Sequence, residues 1–549
     1  MLRFALLAIL AVWLSWSKPT TEPNLHGFTL NLYCIGHLAF YILLVLFLRV
    51  WSNLIVRKSG DSVSLVAYNR ALMLSRWLIP CWFTIGIYFL HWGSIVASWL
   101  PWLYQWPNQK IHLTVPQALM GTLPPIAAWV GLWWAQFPVD HMFREHYIFD
   151  DVAADQHIHA PPTLMQTIWA NFRLQILFML IPVMFLHTLY DLAISIMQLA
   201  GIAFTDNSEL LIAVCVTIPG FLAVLMLGPI FLTWILGTER LDDSPLRTKL
   251  EGLFKSAKIG YREILLWKTN YTMGNAAVMG LIPNARYVLL SDLLMESMSD
   301  EHIEAVFAHE VGHVVHKHLW WYLLFAAIAM LFMAGPGDQL LNLLRDWYVN
   351  TRNNSSDSWD FIEGLISTVV FFSAFILAFG YLSPAFERQA DVYAARTIQK
   401  DFTVRKSSEN PILEYASAST NSATPILITS PQHNAAEINY DTPENHVGEY
   451  GAGVFTGALH QVAIINHIPI KQRNLSHGSI DYRIRALIAM SADADHTARF
   501  DRRMRRLYYF LFALFCIASI WVGIRTYILD QENAAKQTPT TIKAVSPRR

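Results

Sequence analysis

The sequence predicts a mainly α, polytopic helical membrane protein that also carries a water-facing domain. Three observations predict it. Of 549 residues, 54% are hydrophobic and only 15% charged, with mean hydropathy +0.33. Apolar runs of membrane length recur along the chain, and two polar stretches among them are long enough to fold in water. The apolar content excludes disorder as the dominant state. With 40 Lys+Arg against 41 Asp+Glu the net charge is -1, which leaves no electrostatic footprint for nucleic acid. Cys34, Cys81, Cys215 and Cys516 all lie in apolar runs and read as small hydrophobes, with no disulfide framework and no CxxC metal site.

Residues 1–17 hold Arg3, an apolar stretch, then Ser15 and Ser17, which suits either a first uncleaved span, the preferred reading, or a signal peptide. Runs of about 20 apolar residues then begin near Leu30, Leu78, His112, Leu174 and Leu210, so residues 1–236 are expected to form a transmembrane region of about six spans. A first polar region, 237–318, is followed by two spans over 319–382, beginning near Leu319 and Phe361. The second polar region is 383–506; within it, 401–450 is rich in Ser, Thr, Asn and Pro and is expected to be a mobile insertion. A last span over 507–529 and a disordered tail over 530–549 complete the chain. Lys and Arg favour short cytoplasmic loops. Arg49, Arg57, Lys58, Arg70 and Arg76 cluster in one connection, while the next has only Lys110. Alternating from there puts both polar regions, and the Arg502, Arg503, Arg505 and Arg506 cluster, on the cytoplasmic side.

The first polar region ends in a segment with helical periodicity: Ser299 or Asp300 as cap, and Ile303, Val306, Phe307, Val311, Val314 and Val315 as apolar positions. One turn apart on it, His309 and His313 present two imidazoles to one point. Glu310 stands beside that point with a carboxylate free for proton transfer. This is the HExxH zinc arrangement, in which neutral imidazoles suit the metal and a water held there can be activated at neutral pH. The bland reading, a chance match among 20 histidines, is weakened by a third ligand in the right place. A metzincin would have Gly at 316 and His at 319, where this chain has His316 and Leu319. An intramembrane site-two-type protease would place the motif inside a span, whereas here it precedes one.

In the second polar region, Ser383 as cap and Pro384 at the first helical position are expected to start a helix. Glu387 and Asp391 then fall one turn apart on one face, so that Glu387 can ligate zinc and Asp391 can orient a ligand histidine. A solvated acidic pair is the alternative for such residues in isolation. His316 and His318 read as polar residues at the membrane interface rather than metal ligands. Asp191, in an apolar run, is either functional or the end of a shorter span. Trp99, Trp102, Trp106, Trp133 and Trp134 suit interfacial belts.

The sequence His309-Glu310-Val311-Gly312-His313, followed by Glu387-Arg388-Gln389-Ala390-Asp391, resembles the membrane zinc metalloendopeptidase family of HtpX and the CAAX prenyl proteases, gluzincins with HExxH and ExxAD motifs. The likeness runs from about 246 to 487. It implies a cytoplasmic zincin-like α+β catalytic domain with one Zn2+ per chain, held by His309, His313 and Glu387, with Glu310 as general base and Asp391 behind the ligands. It also implies that the region of Asn275 and Ala276 is a strand edge holding extended substrate. The segment from Ser476 to Ile484 is similar to the family's His-Pro-Pro-x-x-x-Arg motif, though with Gly478 after the histidine, and implies that His477 or Arg483 stabilises an oxyanion. The expected activity is hydrolysis of peptide bonds in membrane or misfolded proteins, as in HtpX-like quality control at a bacterial inner membrane. Cleavage of lipidated peptides by a CAAX prenyl-type protease is the alternative, and an inert receptor or transporter of the same fold is a third reading. The expected partners are a protein or peptide substrate and the lipid bilayer, with no nucleic acid.

Overall fold

The computed structural model describes residues 27–58, 62–99, 115–153, 161–202, 212–352, 356–417, 446–466 and 468–537. The possible first span or signal peptide at residues 1–17 lies outside them. Six helices among the described residues are long and apolar enough to cross a membrane: Asn31–Arg57, Val115–Glu145, Leu164–Leu199, Cys215–Leu236, His318–Trp347 and Ala494–Ile528. A pair bent by 72°, Leu65–Ile87 with Trp92–Trp99, makes a seventh if it is one span. Each coincides with an apolar run read from the sequence. The run near Phe361 falls in a helix whose side chains over 356–372 lie outside the description.

The chain divides into two compact units. The first comprises residues 1–241, 261–275 and 279–297. Its helical part contains α1 (Gly27–Arg57), α2 (Ser62–Phe89), α3 (Trp92–Trp99) and α4 (Val115–Ala153), which bury Tyr68, Phe83, Trp92 and Trp129. Asp191 is buried on α6 (Phe178–Leu199), which follows α5 (Leu164–Asn171), and its carboxylate accepts the Val115 N–H at 3.2 Å. An acid in an apolar run thus satisfies the exposed amide end of a neighbouring helix. Helix α7 (Ile218–Leu236) stops at Gly237, whose φ of 66° is the left-handed C-cap geometry that glycine adopts without strain. The chain then enters β1 (Thr238–Arg240), antiparallel to β2 (Glu263–Trp267), which runs parallel to β4 (Tyr287–Ser291) with Glu263 opposite Tyr287. Leu236, Leu265, Trp267, Tyr287 and Leu289 form the apolar cluster of this sheet.

The second unit comprises 242–260, 276–278 and 298–549. Helix α8 (Pro245–Ser256) opens with Ser244 as N-cap and Pro245 at N1, and its Phe254 meets Phe307 edge to face at 5.3 Å. Phe307 lies on α10 (Asp300–Val315), which follows the short α9 (Asp292–Ser297) of the first unit and which Ser299 caps through the His302 N–H, as its sequence predicts. Lys317 then takes φ 56°, a left-handed turn for a residue with a Cβ, and separates α10 from α11 (His318–Phe332). After α12 (Asp338–Arg352) comes α13 (Ser356–Ser417), a single 62-residue helix. It corrects the expectation that Ser383 and Pro384 begin a helix. The helix arriving from the apolar segment continues through them, missing only the bond that Pro384 has no N–H to make, and the Ser383 hydroxyl, 3% exposed, donates instead to the Ser476 carbonyl at 2.6 Å. The first part of the expected insertion, 401–417, continues α13, and 418–445 lies outside the described residues. Helices α14 (Glu449–Ile465), α15 (Ile480–Ala492) and α16 (Ala494–Gln537) complete the unit, the last running into the stretch expected to be tail.

Candidate metal centre

Close approach of two helices makes the site. Gly312, in the middle of HExxH, faces α13: a Cβ there would lie 3.1 Å from the Ala390 Cα and 3.1 Å from the Tyr393 ring. With hydrogen in that place, α10 comes close enough for His309 and His313 to face Glu387. One donor atom from each of these three residues lies within 4.8 Å of the others. The Nε2 atoms of His309 and His313 are 3.2 Å apart, and the Glu387 oxygens lie 3.5 Å and 3.7 Å from them. His309 and Glu387 are buried, and His313 is half-buried.

Behind these atoms sits a charged layer. Asp391, one turn along α13 and 1% exposed, places Oδ1 2.9 Å from His309 Nδ1, though off the line of its N–H bond. Arg483, on α15, grips Asp391 with two bonds, Nε to Oδ2 at 2.8 Å and Nη2 to Oδ1 at 2.5 Å, and sets Nη1 3.4 Å from Glu387. Burial pushes the Asp391 carboxyl up, but the Arg483 charge and its hydrogen bonds outweigh burial and hold it below the ordinary carboxylate range. Glu387 is likewise held well below its usual value: burial is opposed by hydrogen bonds from His309 and His477 and by Arg483. His477 puts Nδ1 3.0 Å from Glu387 and is itself 57% exposed.

Glu310 projects beside the cluster and accepts the Val278 N–H at 3.1 Å, from β3 (Ala276–Met279). Burial raises its carboxyl to about 7, Glu387 adding to the effect and His309 opposing it. Ala276 opens β3 and is 5% exposed. Asn275 stands just before it, its N–H on Ser291 Oγ at 2.8 Å and its carbonyl on the Ser291 N–H at 2.9 Å. Of the site residues expected from the sequence, His309, Glu310, His313, Glu387, Asp391, His477 and Arg483 come together, and the backbone of the β3 strand meets Glu310.

Sequence reasoning missed His318. It is 1% exposed, stacks on Phe386 at 4.4 Å, and sets Nδ1 2.8 Å from His313 Nδ1. Its one sequence signal is position: five residues past His313, across the Lys317 turn, it folds back onto the ligand. Phe455 on α14, which stacks on His309 at 5.7 Å, was missed as well and carries no local signal.

Two imidazole nitrogens and one carboxylate oxygen are the donor set zinc takes in a catalytic site, and three protein ligands leave one position open. The donor atoms present here fit such an ion. The model of Peptidase family M48 matches residues 240–487. That segment is similar to the M48 peptidases. Over 162 aligned residues, covering 28% of this chain, the chain is 30% identical to the CAAX prenyl protease 1 homolog of Arabidopsis thaliana. Over 165 aligned residues it is 28% identical to the CAAX prenyl protease 1 homolog of Oryza sativa subsp. japonica. In both the match covers 37% of the relative, so the chain spans little more than a third of the length of these curated proteins. A crystal structure of S. mikatae Ste24p is similar over 84% of this chain and 98% of that one, at 13% identity and a TM-score of 0.43. The M48 segment covers every residue of the cluster described above, from Val278 to Arg483.

Proposed function

We propose that the chain is an integral-membrane, zinc-dependent endopeptidase that binds one Zn2+ through His309, His313 and Glu387. The observation that carries this reading is the convergence of those three donor atoms within 4.8 Å, with the Glu310 carboxylate alongside. When bound, zinc supplies Lewis acidity to the scissile carbonyl and to the attacking water. Glu310 takes a proton from that water and returns it to the leaving amine, a role that suits a carboxyl raised to about 7. Asp391 holds the ring of His309. Between the two residues considered for the oxyanion, His477 is the better placed: it is exposed and leaves Nε2 clear of Glu387, whereas Arg483 directs its nitrogens to Asp391 and Glu387. Ala276, with Asn275 before it, is assigned to the backbone that holds extended substrate.

The named relatives favour a CAAX prenyl-type protease over HtpX-like quality control of misfolded proteins. The arginine distribution favours a catalytic unit on the cytoplasmic side. Zinc analysis of the purified chain, with paired cleavage assays on a prenylated CAAX-type peptide and an unmodified unfolded protein, tests the reading. About one zinc per chain and preference for the lipidated peptide are expected. Glu310→Gln should keep the metal and lose turnover, because an amide cannot accept the water's proton. Full zinc in both His309→Ala and Glu387→Ala would sink the ligand assignment, and a fully active Glu310→Gln the base.

A further inference from the structure

We infer that His318 is a positioning residue for the metal, fixing the proton of His313 on Nδ1 so that its Nε2 lone pair faces the cation. The inference rests on the zinc reading above and concerns how one of its ligands is held. His309 and His313 turn Nε2 toward each other and toward Glu387, so each must carry its proton on the outer nitrogen, Nδ1, if both are to donate an electron pair. His309 has Asp391 at that nitrogen. For His313 the corresponding partner is the Nδ1 of His318, at 2.8 Å.

Two imidazole nitrogens at that distance share one proton, and its owner is decided at the far side of His318. There Nε2 lies 3.0 Å from Gln389 Oε1, an acceptor only, so His318 must donate from Nε2 and keep its lone pair on Nδ1. The hydroxyl of Tyr508 donates to the same Gln389 oxygen, which holds the amide in that orientation. Every proton in the line from Gln389 to His313 then points one way, and the line ends with Nε2 of His313 free for a metal. The outer nitrogens of the two imidazoles thus face different chemistry, an anion at His309 and a neutral relay at His313. A partner that fixes tautomer and ring angle typically changes metal affinity by about 10- to 100-fold.

The competing account is that His318 only fills space against Phe386, where the rings are parallel. His318→Phe keeps the stack and removes the acceptor, while His318→Asn loses the ring but returns an acceptor near the Nδ1 position. Zinc dissociation constants would be measured on the purified full chain in detergent by chelator competition. The absorption spectrum of the Co2+-substituted protein would report ligand geometry. His318→Phe should weaken zinc by about 10- to 100-fold and alter the Co2+ spectrum, and His318→Asn should recover most of both. Gln389→Met, which leaves His318 in place without its acceptor, should shift affinity in the same direction and keeps the test decisive if His318→Phe does not fold. Wild-type affinity in His318→Phe or Gln389→Met, or equal weakening in the Phe and Asn variants, would overturn the inference. A wild-type chain that takes up no zinc would overturn the metal reading itself, a result distinct from any ordering among the variants.

Discussion

With Nε and both terminal nitrogens turned toward Asp391 and Glu387, Arg483 supplies the positive charge that lets two carboxylates stay ionised in a buried site. Arg483→Ala removes the charge and leaves both acids buried without it, so we expect about 3–5 kcal/mol of destabilisation, read as a lower unfolding midpoint of the metal-free protein. Arg483→Lys should recover only part of this, since an ammonium cannot match the two-bond grip. Glu310 answers to pH in the opposite sense. Its carboxyl is raised to about 7 by burial, and the proposed base is the deprotonated form, so turnover should rise with pH through the midpoint and fall by about tenfold per unit below it. A cation nearby favours the carboxylate, which places this acid limb at or below about pH 7. A kcat/KM profile that climbs as pH drops below 7 would remove Glu310 from the role.

At the scale of elements, the centre depends on how tightly α14 lies on α13. A Cβ at Gly451 would sit 2.0 Å from the Ala395 carbonyl oxygen, a distance no relaxation of side chains can relieve, whereas one at Gly453 meets nothing within 4 Å. Gly451→Ala should therefore push α14 outward, carrying Phe455 off His309, at a cost of about 1–3 kcal/mol with weaker zinc retention. Gly453→Ala, on the same helix, should be neutral or stabilise by up to about 1 kcal/mol through helix propensity. Equal melting of the two variants would contradict the packing described. What could be read locally was read well: the cap at Ser299, the i, i+4 spacing of His309 and His313, and that of Glu387 and Asp391 are all set within a few turns of one helix. What depended on distant partners was not. Ser383 and Pro384 look like a helix start because the pair carries a cap-and-N1 signal by itself, and that local signal does not register that the apolar helix from near Phe361 runs straight into it. His318 looked like an interface residue because the groups that bury it, Phe386 and Gln389, lie about 70 positions further on.

For the whole molecule, the apolar runs gave the spans because about 20 residues are needed to cross a bilayer, a requirement independent of tertiary packing. The order of those runs puts two segments between the two polar regions, so both regions should emerge on one side. Single cysteines replacing Ser256, at the end of α8, and Asp493, just after α15, should both react with an impermeant thiol reagent only from the cytoplasmic face. Labelling from opposite faces would break the proposed topology. The sidedness rests on arginine distribution and the spans on hydropathy, so the two can fail separately.

The unbroken run of α13 from Ser356 to Ser417 bears on how this protein can change over generations. Each residue added to a helix turns everything beyond it by about 100° and moves it about 1.5 Å. Glu387 and Asp391 stand inside that helix with no loop before them to absorb the twist. A one-residue insertion between Gly380 and Glu387 would carry both acids round to another side, whereas an insertion of roughly seven residues, close to two full turns, would nearly restore their phase. Between Ser356 and Glu387, therefore, only changes in length close to whole turns would leave the two acids on their present side of the helix.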